Sequence, residues 1–372
     1  MSAVAKPLMS LNDALAIMMS HVQSLTSVET VATWDADGRM LAQDVVSELA
    51  VPALDNSSMD GYALRCIDVH HVGSTLRVTQ RIPAGSHGQP LLPGEAARIF
   101  TGAPIPPGAD AVVMQEHVSV GAAPSELITI NQTVSKGQWI RRAGEDVSMG
   151  AVILPRGCRL QPAELGLAAS IGRAELAVVR KPRVALLSTG DELIMPGSVA
   201  PADMKPGTIY NSNRSFLRAL LQRAGCEVTD LGIVPDRREA TEAALRAAAE
   251  HHDLILTSGG VSVGEEDHIK PAVESLGELN LWQLAIKPGK PFAYGKVNRA
   301  VGGNACHFMG LPGNPVSSFV TFLLLVRPFV LALQGVTKTD IARTEMTANF
   351  DWPRADKRRE FLRVKRNAKG GL

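Results

Sequence analysis

The sequence predicts an α/β fold combined with β-rich domains in one multidomain chain, on three observations. Between Val184 and Leu276 short apolar runs alternate with helical periodicity in a βαβαβα order, the signature of a mostly parallel sheet. From about Val51 to Leu154 the texture changes to short β-prone runs punctuated by Pro-Ala-Gly, Pro-Ile-Pro-Pro-Gly and Arg-Gly breaks, which reads as an inserted or separate β-rich region. Finally, three glycine-rich segments bearing hydroxyls and acids each follow directly on an apolar run: Ser188–Glu192, Ser258–Asp267 and Gly310–Ser318. In a parallel α/β sheet the loops leaving the carboxyl ends of the strands gather at one edge, so these loops predict one shared site.

The elements follow in order. Ser10 with Asp13 resembles a capping box, and Leu11, Leu15, Met18 and Val22 then recur at helical spacing, which predicts an amphipathic first helix. After the β-rich region a short helix is expected over Pro162–Ser170. Val184–Leu187 is the first strand of the α/β region, and Asn213 caps a helix through Phe216, Leu217, Leu220 and Leu221 that ends at Gly225. Cys226–Val234 is the next strand. Pro235-Asp236 opens the alanine-rich helix Arg238–Glu250, Leu254–Thr257 is a third strand, and His268–Leu276 is helical. Leu281–Ile286 and Pro291–Gly295 are expected to pair around the Lys287–Lys290 turn, and Cys306–Met309 leads into the third loop. The apolar stretch Phe319–Leu333 is interrupted by Arg327 and Pro328, so it reads as a buried helix with a bend rather than a membrane span. In the tail, Leu362 and Val364 alternate with Arg363 and Lys365 as in a half-exposed strand, followed by a turn over Asn367–Gly371.

Composition narrows the function. The chain has 372 residues and 45% apolar content, enough for roughly two or three domains. With 38 Lys+Arg against 37 Asp+Glu, no global field favours nucleic acid or an anionic membrane, so anion binding must be local. The seven basic residues between Arg354 and Arg366 lack interleaved aromatics and read as a solvated strand face. The four cysteines are scattered without a CxxC pair, which argues against a zinc site or a disulfide framework; no signal-like leader opens the chain, and a reduced, cytoplasmic setting is expected.

The three loops carry the chemistry. Glycine lets the backbone approach a ligand, Ser and Thr donate to anions, and Asp and Glu supply the hard oxygens that magnesium prefers. That mixture suits a phosphorylated ligand with a metal. Each acid also has a plainer reading: Asp236 precedes a helix and suits its cap, while Glu265, Glu266 and Asp267 would complement a helix macrodipole. His251-His252 reads as a helix end and not a metal pair, because adjacent residues do not share a helical face.

Seven segments in order, Asp55–Arg65 (DNSSMDGYALR), Arg98–Glu116 (RIFTGAPIPPGADAVVMQE), Arg142–Asp146 (RAGED), STGDEL, TSGGVSVGEEDHIK, AIKPGKPFAYG and GLPGNPVSS, make the chain resemble the molybdopterin molybdenumtransferases. That family inserts molybdenum into molybdopterin and shares its fold with the carboxyl-terminal domain of gephyrin. The resemblance implies an elongated subunit: a helical linker domain (1–52 with 142–180), an inserted β-rich domain (53–141), a molybdopterin-binding α/β domain (181–332) and a carboxyl-terminal β domain (333–372) that is incomplete here. It further implies a homodimer with sites composed from two subunits, and contact with molybdopterin adenylyltransferase.

The implied reaction is Mg2+-dependent hydrolysis of adenylylated molybdopterin, releasing AMP as molybdate is attached to the dithiolene sulfurs. Carried over by motif, Asp60, Glu192, Asp236 and Asp267 are the metal and water-positioning candidates, and Thr101 is a hydrogen-bond donor to an oxyanion. Substrate-binding candidates are Ser188, Thr189, Gly190, Ser258, Gly259, Gly260, Ser262, Pro312, Gly313, Asn314, Pro315 and Ser317, with Lys287 and Lys290 adding positive charge. Two alternatives stand beside this reading. Molybdopterin adenylyltransferase shares the α/β loop chemistry but not the Asp55–Glu116 motifs, and a gephyrin-like scaffold would not need the four acids and Thr101.

Overall fold

The computed structural model describes residues 8–121, 126–261, 268–352, 354 and 356–372. Two six-stranded sheets organise it. The first contains β1 (Gly61–Leu64), β2 (Thr75–Ile82), β3 (Glu95–Ile99), β4 (Ala111–Met114), β5 (Val118–Val120) and β6 (Leu127–Ile130), in the order β4-β1-β3-β2-β6-β5. All its pairings are antiparallel except β2 with β3. Its two faces bury separate clusters, Tyr62, Leu64 and Val113 on one side and Ala63, Ile99 and Val112 on the other, as alternation along a strand requires.

The segments flanking this sheet pair with each other. Val28–Ala32 lies antiparallel to Glu175–Val179, and Val45–Val46 to Val152–Leu154. Helix α2 (Pro162–Ser170), at its expected bounds, closes a small core of Leu41, Leu154, Leu160 and Ala168. Helix α1 (Leu11–Ser20) starts at Ser10, whose hydroxyl accepts from the Asp13 amide, but it packs Leu11, Ala14 and Met18 against the second sheet.

The second sheet contains β7 (Arg183–Thr189), β8 (Glu227–Val234), β9 (Leu254–Ser258), β10 (Gly277–Gln283), β11 (Pro291–Val297) and β12 (Cys306–Leu311), in the order β8-β7-β9-β12-β11-β10. The first four in that order run parallel, and β11 and β10 complete the sheet antiparallel. The central strands are apolar on both faces. Val184, Leu186, Leu254, Leu256 and Met309 meet α1, α3 (Ser212–Arg223) and the helix ending at Leu333, whereas Ala185, Leu187, Ile255 and Phe308 meet α4 (Arg238–His251) and α5 (Ile269–Leu276). Burial on two sides is why these runs are continuous rather than alternating.

Several expectations need correction. Asn211, not Asn213, caps α3: its Oδ1 accepts from the Arg214 amide. The strand expected from Leu281 begins at Gly277, directly after α5. The tail strand is Arg359–Glu360, parallel to Ile286–Lys287, and Leu362 and Val364 lie outside any strand. Phe361 sets that register, because it packs on the apolar cluster under the sheet whereas Leu362 and Val364 remain exposed. The expected turn forms, with the Asn367 amide donating to the Gly371 carbonyl.

The long apolar helix runs as α6 (Pro315–Thr321), a π segment (Phe322–Val326) and α7 (Arg327–Leu333). Pro328 lacks the N–H that an α-turn needs, and the wider π turn immediately precedes it. By length and composition this helix matches a membrane span, but 67% of its apolar window is buried inside the fold. Beneath it, His307 stacks edge-on against Phe329 at 4.8 Å and its Nδ1 lies 3.2 Å from the Tyr294 hydroxyl. Burial pushes the imidazole down to about 4, so it is neutral at neutral pH.

Candidate active site

The sheet topology selects the site. The chain leaves β7 towards α3 on one face of the sheet and leaves the neighbouring β9 towards α5 on the other, so a crevice opens between the two exits. The loops after β7, β9 and β12 close on one another there. The Gly259 amide donates to the Leu311 carbonyl at 3.0 Å. A Cβ on Gly259 would stand 3.1 Å from the Thr189 carbonyl oxygen, and one on Gly260 would stand 2.9 Å from Thr189 Oγ1. Both glycines have positive φ, +91° and +65°, so they combine a left-handed turn with a backbone approach that no side chain permits.

The third loop is fixed from two sides. The Ser318 hydroxyl donates to the Pro312 carbonyl, and Asn213 Nδ2 donates to the Gly313 carbonyl at 2.8 Å. Asn314 caps α6 by accepting from the Ser317 amide at 3.0 Å, so that amide is already used and Ser317 offers an anion its hydroxyl. Ser188 Oγ and Asn213 Oδ1 are buried polar atoms with no protein partner, which marks this edge as polar beyond what the fold itself needs.

The acids are distributed. Glu192 folds its carboxylate back over Gly190, where a Cβ would lie 2.4 Å from Oε2. Asp236 sits between β8 and α4 and is engaged in an interaction of its own. Ser262 and Asp267 lie outside the described residues. Lys287 is drawn to the tail, with Nζ 2.6 Å from Glu360 and 3.8 Å from Asp356, while Lys290 is exposed. Among the described residues no group of three or more His, Cys, Asp or Glu side chains is assembled for a metal.

Asp60 and Thr101 form a second centre on the first sheet. Asp60 Oδ1 accepts from both the amide and the hydroxyl of Thr101, each at 2.8 Å. These two bonds, the amide's above all, hold the carboxyl below its usual range, and the Arg98 charge adds to the effect. Among the described residues no hydrogen bond or ion pair joins this centre to the three loops. The sequence motifs gave no sign that Asn213 would brace the third loop; its position at the start of a helix, after an Asn-Ser pair, suggested only a cap.

The comparisons with known proteins follow this geometry. Residues 9–172 match the model of the MoeA N-terminal region (domain I and II), and residues 185–332 match that of a probable molybdopterin binding domain. The molybdopterin molybdenumtransferase of Haemophilus influenzae is 44% identical over 329 residues, covering 88% of this chain and 78% of the relative. The enzyme of the same name from a Nostoc species is 37% identical over 341 residues, covering 89% and 76%. Among solved structures, a molybdopterin biosynthesis moeA protein from Pyrococcus horikoshii OT3 superposes with a TM-score of 0.80 at 27% identity, covering 98% of this chain and 92% of that one. With both halves matched in order and the strand-end loops gathered at one sheet edge, the chain belongs to the molybdopterin molybdenumtransferase family.

Proposed function

We propose that the chain inserts molybdenum from molybdate into adenylylated molybdopterin and releases AMP. The observation that carries this reading is the contact of the three loops through Thr189, Gly259, Leu311 and Gly313 at the switch point of the sheet. There, the exposed Gly313–Asn314 backbone and the hydroxyls of Ser188, Thr189, Ser258 and Ser317, that of Ser188 without a protein partner, suit an anionic, phosphate-bearing pterin. The match over residues 9–172 favours the transferase over an adenylyltransferase built from the α/β part alone.

The donor chemistry fits Mg2+. That ion commonly takes one or two protein carboxylates and completes its shell with water and substrate phosphates, so a full protein cage is not required. Glu192 and Asp267 would hold it, with Asp236 near the same sheet edge; when bound, it polarises the phosphoanhydride and offsets developing charge. The loop amides orient the adenylate phosphate, Thr189 and Ser258 fix the pterin phosphate, and Asp60 accepts a hydrogen bond from the attacking water. The Asp60 carboxylate, which Thr101 holds below its usual range, is an acceptor at neutral pH.

In the dimer we propose, the Asp60–Thr101 centre of one subunit meets the three loops of the other, and 53–141 and 181–332 act as the two functional domains. The test is to incubate the purified protein with adenylylated molybdopterin, Mg2+ and molybdate, following AMP release and formation of active cofactor together. Molybdate-dependent AMP release is expected, and its absence from folded protein would overturn the proposal.

A further inference from the structure

Strands β2 and β3 place two arginines side by side. Arg81 and Arg98 are register partners in the parallel pair, on strands that lie about 4.8 Å apart. Both stack on one ring: each guanidinium carbon is 4.7 Å from the centroid of Phe100, and that of Arg98 is also 5.1 Å from the centroid of Tyr62. Neither has a carboxylate within salt-bridge distance among the described residues. Arg98 spends two donors on the Gly61 carbonyl and Gln115 Oε1, whereas Arg81 makes no hydrogen bond among the described residues. The neighbouring pair on the same two strands, Arg77 with Glu95 at 3.3 Å, shows the compensation that this pair lacks.

Like charges at facing positions destabilise a sheet, and cation–π contact at a partly exposed ring offsets only part of that repulsion. An anion between the two forks removes the repulsion and uses the guanidinium donors that remain. The position is informative as well. Phe100 directly precedes Thr101, and the charge of Arg98 reaches Asp60.

We propose that Arg81 and Arg98, both stacked on Phe100, form a binding site for a tetrahedral oxyanion beside the Asp60–Thr101 centre. The identity of that oxyanion, a phosphate ester of the nucleotide or molybdate, rests on the proposed reaction; the site itself does not. Planar forks on a fixed platform suit two edges of a tetrahedral dianion better than lysines would.

Titration calorimetry of the intact chain with AMP, inorganic phosphate and molybdate separately tests this without turnover. For Arg81→Gln and Arg98→Lys we expect at least a fivefold weaker affinity for one of these anions, with melting temperatures near wild type for Arg81→Gln. Arg77→Gln removes the same charge from the same strand and should leave affinity unchanged. Dependence with AMP and phosphate identifies a phosphate ester, and dependence with molybdate alone identifies that substrate. If Arg81→Gln binds all three anions as wild type does, or Arg77→Gln loses as much, the site does not exist. Failure of molybdate-dependent AMP release in the wild type would overturn the proposed reaction and leave these binding results standing.

Discussion

Replacing Gly310 by Ala probes how tightly the sheet controls the loop after β9. A Cβ at that position would stand 2.2 Å from Val261 Cγ1 and 3.2 Å from the Ala293 methyl, where carbon atoms normally rest about 3.5–4.0 Å apart. Val261 must therefore retreat by about 1.5 Å. It has little room, because it is buried and follows Gly260, whose own Cβ position is closed by Ile269 and Thr189. Overpacking of this kind costs about 1–3 kcal/mol, which for a unit of this size lowers the melting temperature by about 2–12 °C. Val261 and Gly260 belong to one of the three loops of the proposed site, so molybdate-dependent AMP release should fall along with stability. Val261→Ala removes the methyl in the way. In a cycle of wild type, Gly310→Ala, Val261→Ala and the double variant, measured by denaturant unfolding and by AMP release, the double variant should be more stable than the sum of the single effects by about 1 kcal/mol or more, with turnover partly restored. Additive effects, within about 0.5 kcal/mol, would refute the claim that these two side chains compete for one space.

Other expectations are more direct. His307 has a folded value of about 4 against 6.5 in the unfolded chain, so between those pH values only the unfolded chain takes up the proton. Stability should then fall as pH drops through that window, by up to about 3 kcal/mol from this group, and the advantage of wild type over His307→Gln in urea unfolding should shrink between pH 7 and 4.5. A constant difference would show that His307 is not the group responsible. Asp267→Asn should fold normally and lose molybdate-dependent AMP release, and retained turnover would remove Asp267 from the site. Mixing that variant with Asp60→Asn should restore activity if sites are shared between subunits, provided exchange of subunits is verified separately. Thr101→Val deletes one of the two donors to Asp60 Oδ1, so the Asp60 carboxyl should rise towards its ordinary value and the acidic limb of the pH–rate profile should move up in pH. An unmoved limb would separate that residue from the rate.

Much of the architecture was legible because it is local. Apolar runs at Val184, Cys226 and Leu254 alternating with helical periodicity announced a mostly parallel sheet, and the glycines after Val184–Leu187 and Leu254–Thr257 marked tight turns, where Gly190, Gly259 and Gly260 have positive φ. The start of α3 was less legible. Asn211 and Asn213 are equally good caps by residue type, and what separates them is that Asn213 donates to Gly313, a hundred residues away in sequence. The same limit applies to the tail, where alternation at Leu362 and Val364 pointed to a strand but the core accepted Phe361 instead.

By itself, then, the sequence determined where the central strands of the α/β region and the motif-bearing loops lie, since burial pattern and backbone freedom are properties of a few consecutive residues. Only the tertiary structure decided that β7 and β9 are neighbours with exits to opposite faces, that Lys287 faces the acids of the tail, and that Arg81 stands beside Arg98. Those relations depend on strand order and register. Both are set by how distant segments share one core, and no spacing within a single segment encodes that choice.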